Sequence, residues 1–144
     1  MTLEELRDAL AEYSFFITYT PLAEEPSIPP VLPDDEDVYT VPADAVTDPF
    51  DIARQVMQKA AGRKTVVFLP GTGFDATGTR HGRGGGWYDR FLSSVPSEWL
   101  RVGICTDAQF STMPLTRESW DEPVNYVAVC DEGEGFRAYA SDTR

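Results

Sequence analysis

The sequence predicts an α/β protein whose sheet is mainly parallel. Short continuous apolar runs of strand length recur along the chain, and stretches with apolar residues at helical spacing lie between them. This order of strand, helix, strand, helix and strand is typical of parallel strands joined by helical crossovers. At 144 residues, 42% of them hydrophobic and 25% charged, the chain is long enough to bury one sizeable core, so we expect a single domain.

The N-terminal part is predicted to contain a helix, a buried strand and a long loop. An amphipathic helix is indicated by four apolar residues at helical spacing among acidic ones: Leu3, Leu6, Leu10 and Tyr13. The aromatic and β-branched run SFFITYT at 14–20 predicts a buried strand. Residues 21–49 are rich in proline and aspartate and hold one short strand candidate at 38–41, which favours an ordered or partly mobile surface loop over a linker.

The rest of the chain alternates between helices and strands. A helix is predicted with Asp48 as its N-cap and Pro49 in its first position, ending at Gly62. Its buried face is predicted to carry Ile52, Val56 and Ala60. A second helix, starting near Trp87, is predicted by four residues at helical spacing: Tyr88, Phe91, Leu92 and Val95. Buried strands are predicted by apolar runs at 65–70, 101–106 and 126–130.

Charge is distributed unevenly, and this excludes some partners. Residues 1–53 hold thirteen acids and one base, whereas residues 54–144 hold eleven of each, which gives a net charge of -12. An acidic N-terminal part repels nucleic acid and anionic lipid, so we expect neither as a partner. Because no apolar run approaches the roughly 20 residues of a membrane helix and the first residues are acidic and polar, we expect a cytoplasmic protein.

Histidine and cysteine are too sparse for several kinds of site. His81 is the chain's single histidine, which excludes a histidine dyad or a histidine-rich metal cage. Cys105 and Cys130 each lie within an apolar run and lack a partner at CxxC spacing. We therefore expect two buried thiols and neither a zinc site nor a redox motif.

A glycine-rich loop lies between a predicted strand and a predicted helix. Seven of the eleven glycines fall between Gly71 and Gly86, directly after the strand at 65–70 and before the helix near Trp87. Ligands of open α/β sheets lie at the carboxyl ends of strands, and a helix N-terminus offers unpaired N–H donors. Since glycines let the backbone approach an anion closely, the loop is a candidate phosphate site.

Charged residues in this loop indicate a nucleotide with its metal. Arg83 would supply a forked cationic donor within the loop and Arg80 a second at its base. Asp89 is a suitable ligand for a Mg²⁺ ion that bridges phosphate oxygens. A hairpin tip with a dipole-pairing aspartate stays an open alternative. The loop lacks the Gly-Lys-Ser/Thr of a Walker motif and the GxGxxG of a dinucleotide site.

Residues 68–92, FLPGTGFDATGTRHGRGGGWYDRFL, closely resemble the signature segment of the 5-formyltetrahydrofolate cyclo-ligases. The shared features are PG-x-x-FD, G-x-R and GRGGG followed by an aromatic residue, tyrosine and aspartate. Weaker similarity in FFITYTPLAEEPSI, DPFDI, ICTDAQF and WDEPVNYVAV extends it over roughly residues 13–130. The resemblance implies one cyclo-ligase-like domain over 1–144, with a three-layer α/β fold, a mainly parallel sheet and no N-terminal basic helix of the family type.

The resemblance also implies an activity. The expected reaction is the ATP- and Mg²⁺-dependent closure of 5-formyltetrahydrofolate to the 5,10-methenyl form, with release of ADP and phosphate. The formyl oxygen takes the γ-phosphoryl group, N10 attacks the activated carbon, and phosphate leaves. Such chemistry requires positioning and charge neutralisation more than a protein nucleophile.

Site residues carried over from the family fall into three groups. ATP would be held by Arg80, His81, Gly82, Arg83, Gly84, Gly85, Gly86, Trp87 and Tyr88, of which Arg83 and Tyr88 would act in catalysis. Mg²⁺ would be bound by Asp89 and Asp121. Folate would contact Leu22, Glu25, Phe50, Trp87 and Tyr88. Alternatives stay open for three of them: Asp121 as a surface loop acid, Glu25 as a solvated acid, and Phe50 as a hydrophobic staple beside its helix.

This chain departs from the family pattern at several positions. Ser27 stands where an acid is expected, Asn125 where an aspartate is expected, and Trp120 where a histidine is common. The first helix offers Arg7 as its single base. Two further hypotheses follow: a folate- or nucleotide-binding module of the same fold without turnover, and self-association through the acidic N-terminal part that supplies the cations from a second chain.

Overall fold

The computed structural model describes residues 2–22, 25–26, 37–42, 47–83, 85–131 and 135–141. Its strands, in chain order, are β1 (Phe15–Tyr19), β2 (Asp37–Val41), β3 (Thr65–Leu69), β4 (Gly73–Asp75), β5 (Arg80–His81), β6 (Leu100–Thr106), β7 (Phe110–Ser111), β8 (Tyr126–Asp131) and β9 (Gly135–Ala140). Its α-helices are α1 (Leu3–Ala9), α2 (Pro49–Ala60) and α3 (Trp87–Ser93), and a 3₁₀ turn covers Asp107–Gln109.

Within these described residues, six strands form one sheet in the order β2, β1, β3, β6, β8, β9. Neighbours from β2 to β8 pair in parallel, and β9 pairs antiparallel to β8. Strands of a sheet covered on both faces read as continuous apolar runs, and β1 and β3 are buried along their whole length. The predicted α/β class with a mainly parallel sheet is confirmed.

Helices cover both faces of this sheet, which gives the three layers. Alternate strand residues point to opposite faces. On one face Ile52 and Val56 of α2 and Phe91 of α3 pack in one apolar cluster with inward residues of β1 and β3. On the other face Leu6 and Leu10 at the end of α1 pack in a second cluster with residues of β1, β3 and β6.

The caps of α2 agree with its sequence. The Asp48 carboxylate accepts the Phe50 N–H at 3.0 Å, and Pro49 occupies the first helical position. At the other end Ala61 and Gly62 both take positive φ values, 50° and 81°, so the helix ends at Ala60, two residues before the predicted glycine.

Three parts of the chain differ from the predictions. Helix α1 ends at Ala9, short of Tyr13, because the chain must turn to enter β1, where the Ser14 N–H bonds the Lys64 carbonyl at 3.0 Å. Strand β9 and the small sheet of β5, β4 and β7 were not predicted. The predicted loop at 21–49 lies mostly outside the described residues.

The small sheet is packed against the large one through a glycine. A Cβ at Gly103 of β6 would overlap the ring of Phe74, which is fully buried. The absence of a side chain at Gly103 therefore lets the Phe74 ring of β4 pack closely against β6, and β4 pairs with β5 and β7 in the small sheet. None of the helices formed by the described residues has the length and apolarity needed to cross a membrane.

Candidate functional site

A cavity of about 740 Å³ opens where β1, β2 and β3 end. This is the carboxyl edge of a parallel sheet, the usual ligand position in open α/β folds, and the volume is that of a small-molecule site. The cavity is lined by Thr20, Leu22, Glu25, Val41, Pro42, Pro70, Gly71, Thr72, Arg80, His81, Gly82, Arg83, Gly85, Gly86, Trp87, Tyr88, Asp89, Arg90, Thr116, Glu118, Trp120 and Asp121. The structure thus brings together all the carried-over residues except Phe50 and Gly84.

Arg80 is the buried cation of the cavity. Its side chain is 7% exposed, its Nε–H donates to the Pro70 carbonyl at 2.6 Å, and its guanidinium lies 4.9 Å from the centre of the Tyr88 ring. Burial lowers the pKa of Arg80, while Asp89, Tyr88, Glu25 and Asp121 act in the opposite direction. Among the described residues no hydrogen bond engages its two terminal nitrogens, so their four N–H donors are left for a ligand.

Arg83 and Glu25 join the glycine-rich loop to the segment after β1. Arg83 Nε lies 3.5 Å from Glu25 Oε2, and the side chains are 43% and 5% exposed. Glu25 Oε1 accepts the Leu22 N–H at 2.8 Å, and the Tyr19 hydroxyl donates to the Pro26 carbonyl at 2.7 Å, which fixes the segment to β1. The burial of the Glu25 carboxylate contradicts the alternative that Glu25 is a solvated surface acid.

Trp87 and Tyr88 begin α3 and form part of the cavity wall. The Trp87 indole N–H donates to the Thr47 carbonyl at 2.7 Å, and its ring stacks on Phe91 with centroids 5.6 Å apart. Burial raises the pKa of Tyr88, with Arg80 partly offsetting it, so the phenol is neutral at physiological pH. The two rings meet edge to face at 4.9 Å. The hydrogen bond from Trp87 to Thr47 ties α3 to the loop before α2.

Asp89 and Asp121 come from distant parts of the chain and lie on the same cavity wall. Asp89 Oδ1 accepts the Glu122 N–H at 3.0 Å, which places Asp89 beside the residue that follows Asp121. Asp121 Oδ2 accepts the Glu118 N–H at 2.7 Å. In the part of the chain that the structure describes, the second oxygen of each carboxylate makes no hydrogen bond.

This donor set fits Mg²⁺ bound together with phosphates. The described residues contain no cluster of three or more histidine, cysteine, aspartate or glutamate side chains that would hold a metal alone. Mg²⁺ in nucleotide sites takes one or two carboxylates and completes its octahedron with phosphate oxygens and water. Asp89 and Asp121, each with one oxygen available, meet that requirement.

The glycine-rich loop is attached at its base and shaped by its glycines. The Thr72 N–H donates to the His81 carbonyl at 2.7 Å, and a Cβ at Gly71 would come within 2.8 Å of the same oxygen. Gly86 takes a φ of 67° as the N-cap of α3 and gives it no side-chain cap. Gly82 and Gly85 line the cavity, whereas Gly84 lies outside the described residues.

His81 ties the glycine-rich loop to the segment after β7. Its Nε2 lies 2.6 Å from the Thr116 carbonyl oxygen, and a carbonyl can only accept, so Nε2 carries the proton. Leu22 is 40% exposed at the cavity wall. Phe50, on the first turn of α2, is exposed and lies outside the cavity lining, so its contact with folate stays a prediction.

Asp75 is a buried residue that holds two segments next to the site through hydrogen bonds, a role that we did not predict. Its buried Oδ1 accepts the N–H groups of Thr77 and Thr79 at 2.9 and 3.1 Å and the Thr77 hydroxyl at 2.6 Å. Its Oδ2 accepts the Leu115 N–H at 2.6 Å, which anchors the segment that leads to Asp121. The sequence Asp-Ala-Thr-Gly-Thr is an Asx-turn pattern that could have identified it.

Asn125, where the family pattern has an aspartate, is a structural residue. Its Oδ1 accepts the buried Arg101 N–H at 2.8 Å, and its own N–H donates to the Arg101 carbonyl at 2.8 Å. The neutral amide therefore connects β6 to the chain entering β8, away from the cavity lining.

The fold and the cavity define a class: an α/β protein whose ligand-sized cavity lies at the carboxyl ends of parallel strands and is crossed by a glycine-rich loop. A family model described as the 5-formyltetrahydrofolate cyclo-ligase family matches residues 36–130. The chain belongs to this family. The match covers the glycine-rich loop, α3, Asp89 and Asp121.

Individual relatives agree with this assignment. A 5-formyltetrahydrofolate cyclo-ligase of Mycoplasma genitalium is 33% identical over 64 residues, 44% of this chain and 37% of that relative's length. The alignment thus spans little more than a third of the curated relative. A 5,10-methenyltetrahydrofolate synthetase of Mycoplasma pneumoniae has a TM-score of 0.57 at 16% identity, covering 89% of this chain and 83% of that one.

A second solved structure shows the same architecture. The 5,10-methenyltetrahydrofolate synthetase of Aquifex aeolicus has a TM-score of 0.57 at 22% identity and covers 99% of this chain and 82% of its own. At such identities the two structures establish the fold. The three-layer cyclo-ligase fold expected from the sequence is confirmed.

Proposed function

We propose that the chain converts 5-formyltetrahydrofolate to 5,10-methenyltetrahydrofolate with ATP and Mg²⁺, releasing ADP and phosphate. The observation that carries the proposal is the convergence of Arg80, Arg83, Tyr88, Asp89 and Asp121 on one cavity at the sheet edge. These residues come from the glycine-rich loop, α3 and the segment after β7. Family membership makes the reaction the one that this site is expected to perform.

Charge on the cavity wall supports the use of a metal. Four acids line the cavity, Glu25, Asp89, Glu118 and Asp121, against three arginines, Arg80, Arg83 and Arg90. A bare triphosphate would meet repulsion from such a wall, whereas Mg²⁺ neutralises part of the phosphate charge and converts two of the acids into ligands. Binding of the nucleotide is therefore expected to require the metal.

The protein's own residues have distinct tasks in this proposal. Arg80, fixed by Pro70 and Tyr88, presents preorganised donors to the phosphates. Arg83 lies between the phosphates and the folate because its partner, Glu25, belongs to the proposed folate segment. Transfer of the γ-phosphoryl group to the formyl oxygen then makes the formyl carbon electrophilic, and N10 attacks it as phosphate leaves.

An absorbance assay tests the proposal. Protein, 5-formyltetrahydrofolate and Mg·ATP should give the methenyl chromophore, and reactions without ATP or with EDTA should not. Arg83→Ala should lose the signal, and Arg54→Ala, which removes an arginine from the exposed face of α2, should keep it. Absence of ATP-dependent product at high protein concentration would reject catalysis.

A second candidate is a folate- or nucleotide-binding module without turnover, because the described cavity lining sets only three arginines, against four acids, to neutralise the charge of a phosphoryl group in transfer. Calorimetry separates the two. Binding of folate or Mg·ATP without product supports the module, and binding of neither rejects both.

A further inference from the structure

Trp120 is an exposed tryptophan on the wall of the cavity. It is 68% exposed, whereas Trp99 is buried and the Trp87 ring is stacked on Phe91. Among the cavity-lining residues that the structure describes, it is the aromatic ring most open to solvent. A large apolar ring left in water is a surface that a flat ligand can cover with a gain in free energy.

The backbone beneath this ring is held in place. Asp121 Oδ2 accepts the Glu118 N–H at 2.7 Å, and the Asp121 N–H donates to the Glu118 carbonyl at 3.1 Å. On the other side the Glu122 N–H donates to Asp89 at 3.0 Å. When a ligand stacks on the ring, the ordering cost is therefore confined to the side-chain torsions of Trp120, since the backbone of the turn is already fixed.

The position of Trp120 selects one ligand group. Leu22 and Glu25, the proposed folate contacts, follow β1, which lies toward one edge of the sheet. Trp120 belongs to the segment after β7, which is attached to the glycine-rich loop through His81 and Thr116. If phosphates occupy the loop between these two regions, the nucleotide base is the flat group that extends toward Trp120.

We propose that Trp120 stacks on the purine base of the bound nucleotide and makes the site favour a nucleotide over a bare polyphosphate. This inference rests on the proposed function, since it names the base contact of the same nucleotide site. The contact would be made by the indole ring, whose large exposed face is the surface that the base would cover.

Calorimetry with three probes tests the proposal: Mg·ATP, Mg·tripolyphosphate and 5-formyltetrahydrofolate. Trp120→Ala should weaken Mg·ATP binding by about 5- to 150-fold, the range of base–aromatic stacking. The affinity of the Trp120→Ala variant for tripolyphosphate and for folate should stay unchanged. The Trp120→Phe variant, which keeps an aromatic ring, should keep most of the ATP affinity. Met113→Ala is the matched control, because Met113 is exposed on the same segment and lies outside the cavity lining.

Each other outcome overturns the proposal in a recognisable way. Loss of folate affinity with ATP unchanged would place Trp120 against the folate. An equal loss of affinity for ATP and tripolyphosphate would show that the substitution disturbs the phosphate site. Unchanged affinity for all three probes would show that the Trp120 ring contacts none of them. Wild-type protein that binds neither phosphate probe would reject the proposed function itself, whereas wild-type turnover with an unaffected Trp120→Ala variant would reject the base contact alone.

Discussion

Arg83 Nε lies 3.5 Å from Glu25 Oε2, and this ion pair joins the proposed nucleotide loop to the proposed folate segment. The carboxylate is covered while the guanidinium is partly open to the cavity. Arg83 can therefore hold Glu25 in place and still present N–H donors to a phosphate. Both substrates would then depend on the same side chain.

Replacing Arg83 should weaken nucleotide binding and also reduce folate affinity. A charged hydrogen bond contributes about 1.5–3 kcal/mol, so Arg83→Ala should weaken Mg·ATP binding by roughly 10- to 150-fold. Folate affinity should fall as well, because Glu25 would remain buried without its partner. Titration calorimetry with each substrate measures both effects.

Two variants control this prediction. Arg83→Lys keeps the charge and loses the fork, so it should recover part of the ATP affinity. Arg54→Ala removes an exposed arginine paired with Asp51 on α2 and should match the wild type. Unchanged ATP affinity in Arg83→Ala would contradict the assignment of Arg83 to the phosphates.

Asp89 is expected to act through its charge, and one substitution separates the charge from the hydrogen bond. Asp89→Asn can still accept the Glu122 N–H, so the segment should keep its position and the melting temperature should change little. The loss of charge should raise the Mg²⁺ concentration needed for ATP binding by about tenfold, equivalent to about 1.4 kcal/mol. Magnesium titrations at fixed ATP measure this shift.

The control for Asp89 is Asp51→Asn, which removes an exposed carboxylate outside the cavity lining. It should leave the magnesium requirement unchanged. A requirement that is equally unchanged in Asp89→Asn would assign Asp89 to packing and hydrogen bonding alone.

Much of the fold could be predicted because its signals are local. The runs that form β1 and β3 are apolar throughout, since both faces of a parallel sheet are covered, and α2 begins with an aspartate cap followed by proline. The small sheet could not be predicted, because β5 and β7 contain two residues each and show no periodicity.

The part of the site that lies in one continuous segment could be predicted from the sequence. The contacts between residues that are distant in the chain could not. The glycine-rich loop could be located from strand, glycines and helix in order. The burial of Glu25 against Arg83 and the hydrogen bond from Glu122 to Asp89 depend on tertiary packing, which no local pattern records. Trp120 was noted as a departure from the family pattern, but its exposure on the cavity wall depends on the tertiary structure.

Gly103 is expected to be essential for the packing of the small sheet on the large one. In Gly103→Ala the new Cβ would overlap the Phe74 ring, and such overpacking typically costs about 1–3 kcal/mol. For a domain of this size the melting temperature should fall by roughly 2–12 °C. Differential scanning calorimetry gives the value.

Two further variants show whether the clash is the cause. Gly103→Ala combined with Phe74→Leu should be more stable than the sum of the two single changes predicts, because the smaller side chain gives the Cβ room. Gly85→Ala, where a Cβ meets nothing within 4 Å, should not lower the melting temperature. Strict additivity of the double variant would contradict the clash.

Asp75 is expected to make stability depend on pH in the acid range. Burial alone would raise the pKa of Asp75, but hydrogen bonds from Leu115, Thr77 and Thr79 outweigh it and hold the pKa below its usual value. The folded state therefore binds this proton less readily than the unfolded chain. The resulting stabilisation is complete above the unfolded pKa of about 3.9 and is lost as the pH falls through the lower folded value.

Asp75→Asn tests this linkage. At pH 7 the variant should be less stable by about 1–3 kcal/mol, because an amide has one accepting oxygen where the carboxylate has two, and a buried N–H loses its partner. The difference from the wild type should shrink as the pH falls below about 4, since the unfolded wild-type chain then binds a proton that the folded state still excludes. Urea unfolding at pH 7, 5, 4 and 3 measures the free energy of unfolding of both proteins.

The control variant Asp51→Asn should match the stability of the wild type at each pH. If the difference in stability between Asp75→Asn and the wild type is the same at pH 3 as at pH 7, then packing, and not the charge of Asp75, supports the segment that carries Asp121.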